Sequence, residues 1–176
     1  QREGGRPLVG TLHELGALLA SLSQLGEPAL VGPVIEGLAK LVAHEDCLDG
    51  VAAAERRAEP PLLSALADAP GALASIVCAA SCRGGYVVLG EAGAAFVQEA
   101  ALELLHALAS ACAPARRRLI AEMPTLIALL SPAVGGLVNK RAAAVLQVLV
   151  DAPANRVAFR PHEPTLGYLA THCPAE

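Results

Sequence analysis

Tryptophan is missing from this 176-residue chain, and two tyrosines with two phenylalanines make up its whole aromatic complement, 2%. Stacking platforms for bases are therefore scarce. With a net charge of −4, this argues against a nucleic-acid partner. β-Branched and aromatic residues in short alternating runs are also lacking, which excludes a sandwich or barrel. Lys40 and Lys140 are the only lysines among 13 basic residues, and neither follows a glycine loop, so no phosphate loop exists. Charged residues amount to 17%, yet every long uncharged stretch is broken: Met123 to Asn139 is cut by Pro124, Pro132, Gly135 and Gly136. No run of about eighteen apolar residues survives, so no transmembrane helix is expected. Gln1 to Pro7 lacks the apolar core and cleavage site of a signal peptide. With no initiating Met, and with a stripe from Leu8 to Leu25 that nothing precedes to cap, the chain reads as an excerpt expected to continue on both sides. Five cysteines at irregular spacing (Cys47, Cys78, Cys82, Cys112, Cys173) offer no disulfide framework. They read as buried thiols of an intracellular protein, cytoplasmic or nuclear.

What is present is mostly Ala and Leu, the strongest helix formers, within a 54% hydrophobic total. That richness excludes disorder. Apolar residues recur at three- and four-residue spacing: Leu8, Leu12, Leu15, Leu19 and Leu22, then Leu30, Val34, Leu38, Leu41 and Val42. Gly32-Pro33 allows a first-turn helix start or a kink. A polar stretch follows from His44 to Glu59. Pro60-Pro61 opens a short helix from Leu62 to Ala69, and Gly71 to Cys82 reads as another. Arg83 to Gly93, with Tyr86-Val87-Val88-Leu89, suits a short helix or an extended loop. Ala94 to Cys112 is the longest expected helix, with Phe96, Leu102, Leu105, Leu108 and Ala109 facing inward. Short helices are expected at Pro114 to Glu122, Pro124 to Leu130, Ala154 to Arg160 and Pro164 to His172, and a long one at Leu137 to Val150.

The chain also resembles itself at a shift of about forty residues. Met123-Pro124-Thr125-Leu126 falls on Glu163-Pro164-Thr165-Leu166, Arg116 on Arg156, Leu119 on Phe159 and Leu108 on Val148, without a gap. This is the period of armadillo and HEAT units, which stack to share one continuous core. The sequence resembles the armadillo family: Ala115 to Glu122, Pro124 to Leu130 and Val138 to Val150 look like that unit's three helices, and Asn155-Arg156 to Phe159 with Pro164 to Ala170 like the start of the next. Met123 and Glu163 stand where the family has glycine, and the second helix expected before Ala94 is missing, which favours a degenerate, HEAT-like variant. The resemblance implies an all-α, right-handed α-solenoid. Residues 1–46 would form a first helical pair, 60–82 a degenerate unit and 83–176 the best-defined repeats of one domain.

No motif points to chemistry, and neither a cofactor nor a metal is expected. Cys78 and Cys82 share a helix face but lack further ligands. His44 with Asp46 and Cys47, His172 with Cys173, and His106 beside Glu103 read as core or surface residues. Charge placement is more informative. From Leu104 to His162 the basic residues Arg116, Arg117, Arg118, Lys140, Arg141, Arg156 and Arg160 face only Glu122 and Asp151, whereas Glu14, Glu27, Glu36, Glu45, Asp46, Asp49, Glu55 and Glu59 weight the first half. Two readings stand side by side: arginines solvated at helix starts, or a basic stripe of Arg116, Arg117, Lys140, Arg141, Arg156 and Arg160 that receives an acidic or phosphorylated protein segment. On the second, Arg116 and Arg156 form rungs of a ladder with Lys140 and Arg141 between them, and charge reversal at both arginines leaves the melting temperature nearly unchanged. The functional expectation is a protein-interaction scaffold or a subunit of an intracellular assembly. The alternatives are an all-helical enzyme whose site converges only in three dimensions, or a purely structural helical domain. Oligomeric state is left open.

Overall fold

The structure, a computed structural model, describes residues 28–49, 61–81, 90–131, 133–134 and 136–172, together with Glu14 and Ala17. Among these residues every regular element is helical: α1 (Pro28–Asp49), α2 (Pro61–Asp68), α3 (Ala72–Ala80), α4 (Gly90–Ala111), α5 (Ala113–Leu119), α6 (Met123–Ala128), α7 (Gly136–Asp151), α8 (Arg156–Phe159) and α9 (Glu163–His172). Single 3-10 turns at Ile120–Glu122, Pro153–Asn155 and Arg160–His162 join the short helices. The leucine stripe from Leu8 to Leu22, Tyr86-Val87-Val88-Leu89, Cys82 and Cys173 lie outside the described residues.

Several boundaries differ from expectation: α4 starts at Gly90 rather than Ala94, and α1 departs at both ends. α1 begins at Pro28, so Pro33 lies inside it, exposed, rather than at its first turn. The helix also runs on through His44 to Asp49, because nothing there breaks it before Gly50; polarity alone does not end a helix. Between α2 and α3 the chain turns on Gly71, whose φ of 76° is a left-handed conformation that a Cβ would strain.

α4 lies at the centre. It packs against α1, α2, α3, α5 and α7, while α1 and α7 lean on it rather than on each other. Val97, Ala100, Ala101, Leu102, Leu104, Leu105, Leu108 and Ala109 are all buried, leaving one exposed stripe of Phe96, Glu103, His106 and Ser110. Phe96 therefore points outward, at 51% exposure, against the inward orientation that its spacing suggested. The cause is close helix approach. A Cβ on Gly32 of α1 would come within 2.8 Å of Val97 Cγ2, and a crossing this tight, flanked by small residues, leaves Val97 rather than its aromatic neighbour facing inward. The expected core leucines Leu105, Leu108, Leu126, Leu129, Leu146 and Leu149 are all buried.

Gly32 gives a direct test of this crossing. Exchanging Gly for Ala gains about 1 kcal/mol of helix propensity, but overpacking a core contact costs about 1–3 kcal/mol. Val97 is stiff at χ1 and 3% exposed, so it has little room to yield. Gly32→Ala is expected to lower the denaturant midpoint, and adding Val97→Ala to recover part of the loss; additive effects of the two substitutions would show that the helices do not meet there.

The helix ends share a chemistry that the sequence had not announced. The last carbonyls of a helix lack intrahelical donors, and here side chains from other elements supply them. Arg118 Nη1 donates to the Ala67 carbonyl of α2, and its Nη2 lies 3.4 Å from Asp68 Oδ1. Gln98 Nε2 donates to the Ala80 carbonyl of α3 (3.0 Å). Arg116 Nη1 takes the Ala109 and Ser110 carbonyls of α4 at 2.7 and 2.9 Å. Asn139 Nδ2 bonds the Leu129 and Ser131 carbonyls just past α6, both at 2.9 Å. At the end of α7, Asn155 Nδ2 donates to the Leu149 carbonyl (3.0 Å), and Arg156 Nε lies 3.4 Å from that of Val150. The chain's only two asparagines both do this work.

Candidate protein-interaction surface

Several local features recur at an offset of forty residues. Arg116 bonds the Ser110 carbonyl and Arg156 that of Val150, each pair forty residues from the other. The turns Ile120–Glu122 and Arg160–His162, and the starts of α6 and α9, keep the same offset. Cys112 and Ala152, also forty apart, are both extended, with ψ of 108° and 113°. Buried Ala115 and Leu119 match buried Asn155 and Phe159.

This equivalence sets what the basic residues do. Arg116 is half-buried and holds the C-terminal carbonyls of α4, where a helix carries partial negative charge. Arg156 stands in the same relation to α7, more exposed and at longer range. Arg118 ties α5 to α2, and Arg141 Nη1 forms an ion pair with Glu103 Oε1 of α4. Arg117, Lys140 and Arg160 are exposed. Lys140 lies ten residues before Val150 on α7, roughly 15 Å along the axis at the usual helical rise. Arg156 therefore lies at the opposite end of α7 from Lys140 and Arg141, while Arg116 holds the C-terminus of α4.

Arg116 is therefore expected to contribute to stability. Arg116→Glu would set a carboxylate against two carbonyls, and is expected to cost about 1–2 kcal/mol, given about 1 kcal/mol for a typical hydrogen bond and somewhat more for a charged one. Arg156→Glu is expected to cost much less, since that residue is exposed and its contact long. Thermal melts followed by circular dichroism check this: a chain unmoved by Arg116→Glu would return the residue to the solvated stripe.

The long helices present a different surface. Among the described side chains the exposed residues are Leu30, Pro33, Gly37, Lys40 and Leu41 on α1; Phe96, Glu103, His106 and Ser110 on α4; Gly136, Leu137, Lys140, Ala143, Ala144, Gln147 and Asp151 on α7. The Glu103–Arg141 pair fixes the level of α7 against α4. His106 and Ala144 line the same notch of about 180 Å³ with Leu102, Glu103 and Arg141. Leu30 lies two residues from Gly32, which approaches Val97, the neighbour of Phe96. Three large apolar side chains, Leu30 (53% exposed), Phe96 (51%) and Leu137 (50%), are exposed, one on each of these helices. Sequence periodicity missed this exposure, because Phe96 was assigned inward and no local signal links positions 30, 96 and 137.

A second, more apolar cleft of about 350 Å³ separates α6 from α9, lined by Pro124, Ile127, Ala128, Ser131, His162, Thr165 and Leu169. Among the described residues no group of three or more His, Cys, Asp or Glu could hold a metal ion, and no helix is long and apolar enough to cross a membrane. Cys112 is buried in the core and Cys78 half-buried. Comparison with protein-family models, with curated proteins and with solved structures finds no match.

Proposed function

We propose that the chain is a protein-interaction module: a right-handed stack of armadillo/HEAT-like units whose long-helix face receives an acidic segment of a partner protein. The observation that carries the reading is the exposure of Leu30, Phe96 and Leu137, one on each of three long helices, of which α1 and α7 both pack on α4. Large side chains of this kind cost free energy in water, at about 25 cal/mol per Å² of apolar surface, and their exposure on neighbouring helices suits a docking surface. The forty-residue register of capping bonds supports the stacked-unit reading. Exposed Lys140 beside Arg141 supports an acidic partner. The reading takes the protein to be intracellular, as its cysteine usage suggests, and needs no cofactor.

A photo-crosslinking side chain installed at Phe96 or Leu137 is expected to capture a discrete partner from extracts of the source cells. The adduct should fade as ionic strength rises. The same group at Ala121, exposed on the Ile120–Glu122 turn, should capture none. Equal capture at all three positions, or none at Phe96 and Leu137, would reject the surface.

A further inference from the structure

We infer that copies of this chain associate head to tail, the exposed face of α1 in one copy docking on the exposed face of α9 in the next. The inference goes beyond the partner-binding reading, since it concerns α1 and α9 and leaves Phe96 and Leu137 to the partner.

Glycine inside a helix is unfavourable relative to alanine, because it loses more backbone freedom on folding. For one glycine of α1 the reason is visible. A Cβ on buried Gly32 would come within 2.8 Å of Val97 Cγ2, so the residue lets α4 approach closely. Two others have no such neighbour among the described residues. Gly37 of α1 and Gly167 of α9 are exposed and lie inside their helices, and a Cβ on either would meet nothing within 4 Å. A local rule broken without a compensating contact points to a functional demand. Gly32 shows what a helix glycine does in this molecule: it marks where a second helix comes close.

The surroundings of the two glycines suit such an approach. Leu30, Gly37 and Leu41 share one side of α1, away from the buried Val31, Ile35, Leu38 and Val42. On α9, Pro164, Tyr168 and Thr171 are exposed opposite Leu166 and Leu169, which pack on the core, and Gly167 borders that exposed face. Leu30 and Leu41 flank one glycine and Tyr168 the other, so large apolar groups stand ready to cover a close crossing of the two backbones.

Charge names a second copy as the occupant. α1 carries Glu36, Glu45, Asp46 and Asp49 against Lys40, whereas residues 152–172 carry exposed Arg156 and Arg160 against Glu163. Opposite excess charge favours α1 of one copy beside α9 of another, and disfavours either face against itself. A contact between unlike faces leaves one of each open after the first pairing, so further copies add. A single helix-on-helix contact buries little surface, and the association is accordingly weak.

Sedimentation velocity of the whole chain over a concentration series tests this. The average mass is expected to rise with concentration past that of a dimer, and to fall as salt is raised. Gly37→Gln and Gly167→Gln each place a side chain in the crossing and should weaken association roughly tenfold or more. Gln is a better helix former than Gly, so neither variant should melt lower by circular dichroism, which separates lost association from unfolding. An equal mixture of the two variants is the decisive arm. Each retains one unaltered face, α9 in the first and α1 in the second, so the mixture should pair at concentrations where either variant alone is a monomer. An unaltered chain that stays monomeric throughout, a dimer that grows no further, or a mixture that fails to pair would each overturn the inference. If crosslinking through Phe96 and Leu137 persists in that event, the interaction module stands and only the head-to-tail contact falls.

Discussion

Leu105→Ala is expected to lower the free energy of unfolding by about 2–5 kcal/mol, the range for emptying a fully buried leucine site. Leu105 is at 0% exposure on α4, the helix that α1, α2, α3, α5 and α7 all pack against, so the void would open within the central helix of the core. Helix packing around it is dense in alanine, with Ala101 and Ala109 also at 0% exposure, and such short side chains have little reach to fill a cavity. The loss should therefore fall toward the upper half of the range. Leu137→Ala, on a half-exposed site, serves as the comparison and should move stability by about 0.5 kcal/mol or less. Urea or guanidinium titration of the two variants decides the matter; similar midpoints would mean that α4 is not the shared core.

Asn155→Ala should be the next most damaging change, at about 1–3 kcal/mol. Asn155 is 6% exposed, and its amide holds the Leu149 carbonyl at the end of α7. Removing it leaves a sheltered acceptor without a donor, and an unmet buried hydrogen bond costs its full desolvation penalty. The forty-residue partner of Asn155 is Ala115, where Arg116 alone takes both terminal carbonyls of α4. Rescue should therefore be possible from the neighbouring position: Asn155→Ala is expected to deepen the dependence on Arg156, so that Asn155→Ala with Arg156→Ala loses more than the sum of the two single changes. Double-mutant thermal melts read this coupling directly. Strict additivity would show that the two side chains cap α7 independently.

Both predictions concern positions of different legibility. Leu105 could be assigned to the core from the spacing of Leu102, Leu105 and Leu108 alone, because burial on a helix is a matter of period and the period is written in the chain. Asn155 could not, since an asparagine before a short helix is equally suited to a solvated turn. The equivalence of Arg116 and Arg156 was visible as a forty-residue coincidence of letters, but their work at helix C-termini was not. An arginine at a helix start has several acceptors within its long reach, and only the folded backbone says which carbonyls arrive there.

The same distinction runs through the whole molecule. The Ala- and Leu-rich composition with its three- and four-residue spacing determined that the chain is all-helical, where most helices lie, and that Leu105, Leu108, Leu126, Leu129, Leu146 and Leu149 are inside, though not that Leu30 and Leu41 of the α1 stripe stay exposed. Tertiary structure decided the rest: that Gly32 and Val97 meet closely, that Glu103 reaches Arg141 across 38 positions, and that Leu30, Phe96 and Leu137 stay exposed. Each of these depends on the relative placement of helices far apart in the chain. That placement is set by the summed packing of the whole core rather than by any local pattern.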